Sequence, residues 1–472
     1  MLELPGWLTR RRVFAGAGIC AAALTLPRLA GSQTASEDGF VTIRARQGTA
    51  ALRGPTGGAP TPIWGFDGTT PGPLLRVRRG QELKVRVIND LPEPTVVHWH
   101  GVRLLNAMDG VPHLTQAPIA PGASFDYRFA PPDAGTFWYH SHQYSSEQMA
   151  RGLYGALIVD EPEPVDIDRD FALVISDWRL KPDGTVDEAS FRSMHDAAMA
   201  GRIGKHVTAN GMPVADIAVK TNERLRLRVI NAANARVMIL RLDRHRPFVA
   251  AIDGQPSEVF AARDGRILLG PGNRIDLLVD ATLEPGAVAP ILLEADDQSV
   301  AVARLVYDTS SGPRTAARPD PKPLPANPLP ARMDFSGALR VDVPIEGGMM
   351  SGGGRAPQRD GFAGAPIWSL ARRASDGHSG APLFSVKRGR TVTLAFINRT
   401  AFPHAMHLHG HHCRLLDRLD DGWKPFWLDT VLVPPQQTWR VAFVADNPGK
   451  WMLHCHMLEH QETGMAAWFE VT

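Results

Sequence analysis

The sequence predicts an all-β chain built from three related sandwich or barrel units. Stretches such as "LLRVRRGQELKVRVIND", "ERLRLRVINAAN", "RIDLLVD" and "TVTLAFINRT" alternate apolar and polar residues, and Gly, Pro, Asn and Asp separate them. This is the pattern of half-buried strands joined by turns. Helical periodicity is confined to the 188–203 region. At 472 residues the chain has the length of roughly three domains of about 150 residues.

Internal repetition divides the chain. The run "RVRRGQELKVRVIN" ending at Asn89 resembles "SVKRGRTVTLAFIN" ending at Asn398, and a weaker copy, "VKTNERLRLRVIN", ends at Asn231. Three copies of one unit predict three domains, placed at residues 36–162, 163–312 and 336–472. The Pro-rich tract "ARPDPKPLPANPLPAR" falls in a stiff linker over 313–335. Ahead of these units, residues 1–35 carry Arg10, Arg11 and Arg12, then an apolar run ending near Leu29, then small residues. That order reads as a signal for the twin-arginine export machinery, which places the mature chain in the periplasm. The apolar run is too short to span a membrane. Ile19 stands where a lipid-modified Cys20 would require a small neighbour, so no stable anchor is expected.

Composition narrows the function classes. With 44% hydrophobic and 21% charged residues and a formal net charge of +2, the chain reads as a soluble globular protein with no case for nucleic-acid binding. Only Cys413 and Cys455 remain after the signal, too few for a disulfide framework. Cys413, in "HHCRLLDR", reads as a small buried apolar residue.

The repeat register exposes the chemistry. Nine and eleven positions after the terminal Asn stand His98 and His100 in the first unit, His407 and His409 in the third, and Leu240 and Leu242 in the second. Aligning "GTFWYHSH" with "GKWMLHCH" matches His140, Ser141 and His142 to His454, Cys455 and His456. Side chains at i and i+2 of a strand face the same way, so each of the four pairs presents two imidazoles to one side. Eight imidazoles repeated in register predict that the outer units meet around one shared metal cluster, because burying them without partners costs too much.

Cys455 lies between two of these histidines, so its sulfur points to the opposite face and serves a second metal. A thiolate, two imidazoles and a weak thioether form a blue-copper electron-transfer set, for which His404, Cys455, His460 and Met465 are the candidates. Zinc would take a closed set of four ligands instead. Haem attachment would need C-x-x-C-H.

These residues resemble the multicopper oxidase family, through "HWHG", "HSH", "HAMHLHG" and "HCHMLEHQETGM" in that order. The resemblance spans the mature chain and implies three consecutive cupredoxin-like Greek-key domains holding four copper ions. It implies a type 1 copper on His404, Cys455, His460 and Met465, and a type 2 copper on His98 and His407. Two type 3 coppers would sit on His100, His140, His142, His409, His454 and His456. The implied reaction is one-electron oxidation of a reductant at the type 1 copper, with Cys455 as the point of electron entry and His454 and His456 as the path to the cluster. There O2 is reduced to water. Asp109 in "NAMDGVP", eleven residues after His98, resembles the family's acidic proton relay near the type 2 copper. Gln461 departs from relatives that carry glutamate directly after the type 1 histidine, which leaves Glu462 or a water chain for proton delivery, or a slower delivery.

A monomeric laccase-like oxidase of small phenolic or aromatic reductants is the leading expectation. The alternative is a periplasmic oxidase of Cu(I), Mn(II) or Fe(II). Specialised cuprous relatives often carry a Met-rich insertion, whereas "EGGMMSGGG" at 346–354 reads as a flexible connector. A copper-sequestering protein would not need the His-Cys-His arrangement. The family's non-catalytic cell-division scaffold lacks copper ligands, and a two-domain-type nitrite reductase would lack the eight-histidine cluster. His113, His195, His206, His245, His378, His411 and His412 read as surface or supporting residues, with His411 and His412 near enough to the cluster to support its ligands.

Overall fold

The three repeated runs fold as equivalent strands, Leu83–Asn89, Arg224–Asn231 and Thr391–Asn398. Each pairs in parallel with an earlier strand of its unit, placing Asn89 opposite Ala45, Asn231 opposite Ile175 and Asn398 opposite Ile345. The repeated asparagine closes the turn that follows. Its Oδ1 accepts the N–H two residues on, at Leu91, Ala233 and Thr400, over 3.0, 3.1 and 2.9 Å. Its Nδ2 donates to the carbonyls of Ile119, Leu269 and Pro434. Such an Asx turn satisfies every polar atom of a buried amide while ending a strand.

This is a computed structural model in which residues 38–295, 298–310, 312–349, 366–417 and 422–472 are described. The predicted export signal at 1–35 lies outside them. Among the described residues, the first unit comprises two four-stranded sheets, and each later unit a six-stranded and a five-stranded sheet. The fold is all-β, as predicted, and no helix among the described residues is long and apolar enough to cross a membrane.

Burial along the repeated strands reports their surroundings. Leu83, Val85, Val87 and Asn89 are buried while the residues between them are partly exposed, as expected of a strand with one covered face. The middle copy is buried at all eight positions, because its outward arginines pair with acidic residues of the same unit and, through Glu161, of the first. Arg226 pairs with Asp276 and Glu161, and Arg228 pairs with Asp170 while donating to Thr136 Oγ1 of the first unit at 3.0 Å. The tract between Tyr307 and Leu339 forms no strand among its described residues. It is nevertheless pinned down, since Asn327 exchanges hydrogen bonds with the Ala134 backbone and donates to Gln255 Oε1.

The first and third units share one apolar core, which runs from Trp99, Tyr127 and Tyr139 to Trp451, Phe443 and Phe469. The middle unit keeps its own, around Leu173, Leu227, Leu240 and Leu277. Each such side chain contributes about 1.5–3 kcal/mol on burial. On the histidine strands the residues alternating with the imidazoles, Trp99 and Tyr139 in one unit and Leu453 in the other, face this core.

Candidate metal centre

The histidine strands keep the same register in both outer units. Val97–His100 pairs with Gly135–Ser141 so that His98 faces His140, and His404–Leu408 pairs with Gly449–Cys455 so that His407 faces His454. All eight imidazoles are buried and meet at the interface. The rings of His98 and His409 stack at 4.0 Å and those of His100 and His407 at 3.7 Å. Nε2 of His98 lies 3.4 Å from Nε2 of His407, and Nε2 of His409 lies 3.1 Å from Nε2 of His454. Neighbouring donors fall within 4.8 Å in overlapping triads, among them His98, His407 and His409; His98, His100 and His140; and His142, His409 and His454.

Most of the rings have one nitrogen fixed and the other left for a metal. His98 Nδ1 donates to the Asp109 carbonyl at 2.7 Å, and His409 Nδ1 to Asp109 Oδ2 at 2.9 Å. His407 Nδ1 donates to the Asp429 carbonyl at 3.0 Å, and His100 Nε2 to Asp429 Oδ1 at 3.1 Å. His140 and His454 each donate Nδ1 to the carbonyl of the next residue, Ser141 and Cys455, at 3.0 and 2.9 Å. Nδ1 of His100, Nε2 of His140 and His142, and both nitrogens of His456 find no hydrogen-bond partner among the described residues. Orphaned buried nitrogens are costly unless something binds them. Burial lowers His100, His140, His142, His409, His454 and His456 well below the ordinary imidazole value, so these rings stay neutral and able to ligate. The donor set fits a cluster of metal ions.

A second donor set lies across Cys455. Its Sγ is 3.7 Å from His404 Nδ1 and 3.8 Å from His460 Nδ1, and the two nitrogens are 3.2 Å apart. The centre of that triangle is about 2.1 Å from each atom, close to a metal–imidazole bond length of ~2.0–2.1 Å. His404 Nε2 is held by Thr400 Oγ1 at 2.8 Å, and His460 Nε2 donates to the Met199 carbonyl at 2.9 Å. Met465 is buried, and its carbonyl accepts the Cys455 N–H at 3.0 Å. Burial pushes the Cys455 thiol up to about 12, so its thiolate needs a cation beside it. In the first unit the hydroxyls of Thr95 and Ser141, 3.3 Å apart and both bonded to Gln148 Oε1, fill the corresponding space.

The outer edge of His460 is covered. Besides the Met199 carbonyl, the Trp368 ring lies 4.3 Å from the His460 ring and donates its Nε1 to the Ala197 carbonyl at 2.6 Å. Met349 is tied to the same segment, its N–H donating to the Ala198 carbonyl at 3.0 Å. The described part of the predicted connector therefore belongs to this cover; Met350 lies outside the described residues. On the cluster side, a cavity of about 570 Å³ reaches His142 and is walled by Gln143, Ser145, Gln461 and Glu462. Glu462 accepts from the Ser146 N–H at 2.8 Å and the Ser146 hydroxyl at 2.6 Å, and burial raises it to about 7.

Sequence reasoning missed Asp429, Thr430 and Asp253. Asp109 stands eleven residues after His98, but Asp429 follows His407 by 22, so the repeat register gives no signal for it. Among the remaining histidines, His412 Nε2 lies 3.3 Å from Asp429 Oδ2, and His411 packs against Phe443, Trp451 and Phe469. Cys413 is buried, its thiol donating to the Leu428 carbonyl at 3.3 Å.

Comparisons with known proteins agree with this geometry. Three multicopper oxidase family profiles match residues 49–164, 169–310 and 350–472. A multicopper oxidase of Mycobacterium tuberculosis is 33% identical, over 97% of this chain and 95% of its own. Laccase-2 of Fomitopsis schrenkii is 29% identical over 85% and 84%. The crystal structure of a multi-copper oxidase from Pseudomonas thermotolerans superposes with a TM-score of 0.80 at 34% identity, covering 92% of this chain and 99% of that one.

Proposed function

We propose, since the chain belongs to the multicopper oxidase family, that it is a laccase-like oxidase coupling one-electron oxidation of a small phenolic or aromatic reductant to reduction of O2 to water. Bound copper supplies the one-electron chemistry and the four-electron reduction of O2. We assign four ions per chain. His404, Cys455, His460 and Met465 hold the type 1 ion, His98 and His407 the type 2 ion, and His100, His140, His142, His409, His454 and His456 the two type 3 ions.

One observation carries the reading. Cys455 offers its sulfur to one donor set while its peptide neighbours His454 and His456 belong to the other, so a short stretch of backbone joins the two. The burial that keeps the imidazoles neutral also excludes bulk water from both sets. Protons must still enter. Glu462, on the cavity wall, is the group we assign to carry them inward, and Asp109, bonded to His98 and His409, the group that hands them on beside the cluster. The predicted signal at 1–35 supports export to the periplasm by the twin-arginine machinery, where we take units 36–162, 163–312 and 336–472 to act within a monomer.

A second reading, oxidation of Cu(I), Mn(II) or Fe(II), is favoured by the cover over His460. The Met199 carbonyl occupies Nε2 and covers that edge of the ring against a bulky aromatic reductant, and the Met349 backbone is tied to the same segment at Ala198 with its side chain exposed; thioethers suit a soft ion. The deciding measurement is the initial rate of oxygen uptake by copper-loaded protein with a dimethoxyphenol, with and without added Cu(II), against Cys455→Ser. Uptake without added copper that vanishes in the variant supports the laccase. Uptake only with added Cu(II) selects the metallo-oxidase, and no uptake from a four-copper protein sinks phenol oxidation.

A further inference from the structure

The structure assigns a positioning role to Arg274, a residue of the middle unit, whose matched positions carry Leu240 and Leu242 in place of histidines; the inference rests on the copper reading above. Arg274 opens the strand Arg274–Asp280 and is fully buried. Its guanidinium grips Asp429 of the third unit through two hydrogen bonds of 2.8 and 2.5 Å, and its Nε donates to the Thr136 carbonyl of the first unit at 3.2 Å. All three units meet on this one side chain.

Asp429 transmits the grip to two rings of the cluster. Its Oδ1 accepts from His100 Nε2 and its carbonyl from His407 Nδ1. Thr430 Oγ1 donates to the same carboxylate at 2.8 Å and lies 3.2 and 3.1 Å from those two ring nitrogens. Asp253, also of the middle unit, fixes the backbone by accepting the N–H groups of Asp429, Thr430 and Arg274 at 3.2, 3.1 and 3.1 Å. Space is tight on both sides. A Cβ on Gly101, at φ +84°, would strike the Arg274 guanidinium, and one on Gly272, at φ +87°, would press 3.0 Å from the His456 ring.

A planar guanidinium fork holds both oxygens of a carboxylate in one orientation, which an ammonium does not. Arg274 thereby leaves Asp429 a single pose, and that pose sets the stacked rings of His100 and His407 with Nδ1 and Nε2 aimed into the cluster. Asp109, which makes the matching contacts to His98 and His409, pairs with no arginine among the described residues. The middle unit therefore sets one half of the cluster's geometry from outside it.

The test uses full-length, copper-loaded protein carrying Arg274→Lys or the double change Arg274→Met with Asp429→Asn. The double change removes the Arg274 and Asp429 charges together, while Asp253, 3.6 Å from Arg274, keeps the hydrogen bonds it accepts from the Asn273 amide and the N–H groups of residues 274, 429 and 430. Read-outs are copper per chain, the type 1 visible absorption, the type 2 paramagnetic resonance spectrum and the melting temperature. The expected result for the double variant is an unchanged type 1 absorption beside an altered type 2 spectrum and about 10–100-fold weaker retention of cluster copper, partly restored in Arg274→Lys. A folded double variant with wild-type copper content and type 2 spectrum would overturn the inference. So would parallel loss of type 1 and type 2 signals with a fallen melting temperature, which marks a merely structural residue. Wild-type protein that takes up no copper would overturn the copper reading and this inference together.

Discussion

Asp109 and Asp429 stand in equivalent relations to the cluster from opposite units. Each gives its backbone carbonyl to a histidine of its own unit, His98 or His407, and its carboxylate to a histidine of the other, His409 or His100. Neither half of the cluster is complete without an acid from its neighbour.

Replacing Asp109 by Asn keeps the carbonyl contact to His98 and removes the charge facing His409. Turnover in oxygen-uptake assays falls about 10–100-fold while copper content stays at the wild-type value. Wild-type turnover from Asp109→Asn would remove this residue from proton transfer.

Cys455→Ser reproduces in the third unit the serine found at the matched position of the first, Ser141. The visible absorption of the type 1 centre disappears and oxygen uptake stops with every reductant, because a hydroxyl does not replace a thiolate as a copper ligand. Cluster copper is retained, since His454 and His456 stay in place. Metal analysis showing all copper lost would contradict two separable donor sets.

Glu462→Gln retains shape and hydrogen-bonding reach toward Ser146 but cannot carry a proton. Turnover drops about 10²-fold with little change in reductant KM, because Glu462 faces the cavity at His142 and not the covered edge of His460. A change confined to KM would place Glu462 in reductant binding instead.

Asp170 supplies the pH test. Burial alone would raise its carboxyl, but the charges of Arg228, Arg226 and Arg76 outweigh burial and lower it. A carboxyl lowered in the folded state adds stability above its unfolded value of about 3.9, and that contribution is lost as pH falls through the lower folded value. Asp170→Asn therefore costs about 2 kcal/mol near neutral pH, where Arg228 would lose its two-oxygen contact to Asp170 and keep only Asp276 at 3.3 Å, and the gap to wild type closes in acid. Denaturant unfolding of metal-free protein at pH 7 and in increasingly acidic buffers checks this; an equal gap throughout would show that the ion pair is not its source.

Much of the fold and both histidine sets were readable from spacing. The Asn-terminated runs repeat because an Asx turn needs that amide at that register, and His-x-His pairs face one way because strand side chains alternate. Local periodicity of this kind is written along the chain, so the sequence by itself determined three β units, two of them bearing His-x-His pairs, and a thiol on the opposite face from its neighbours. Beyond Asp109, tertiary structure alone decided which groups orient those histidines. Asp253 and Arg274 of the middle unit and Asp429 of the third keep no repeat spacing to the rings they serve, and the Met199 carbonyl reaches His460 across 261 residues. Contacts between domains arise from packing three separately folded surfaces together, and no periodicity within one strand encodes what lies against it.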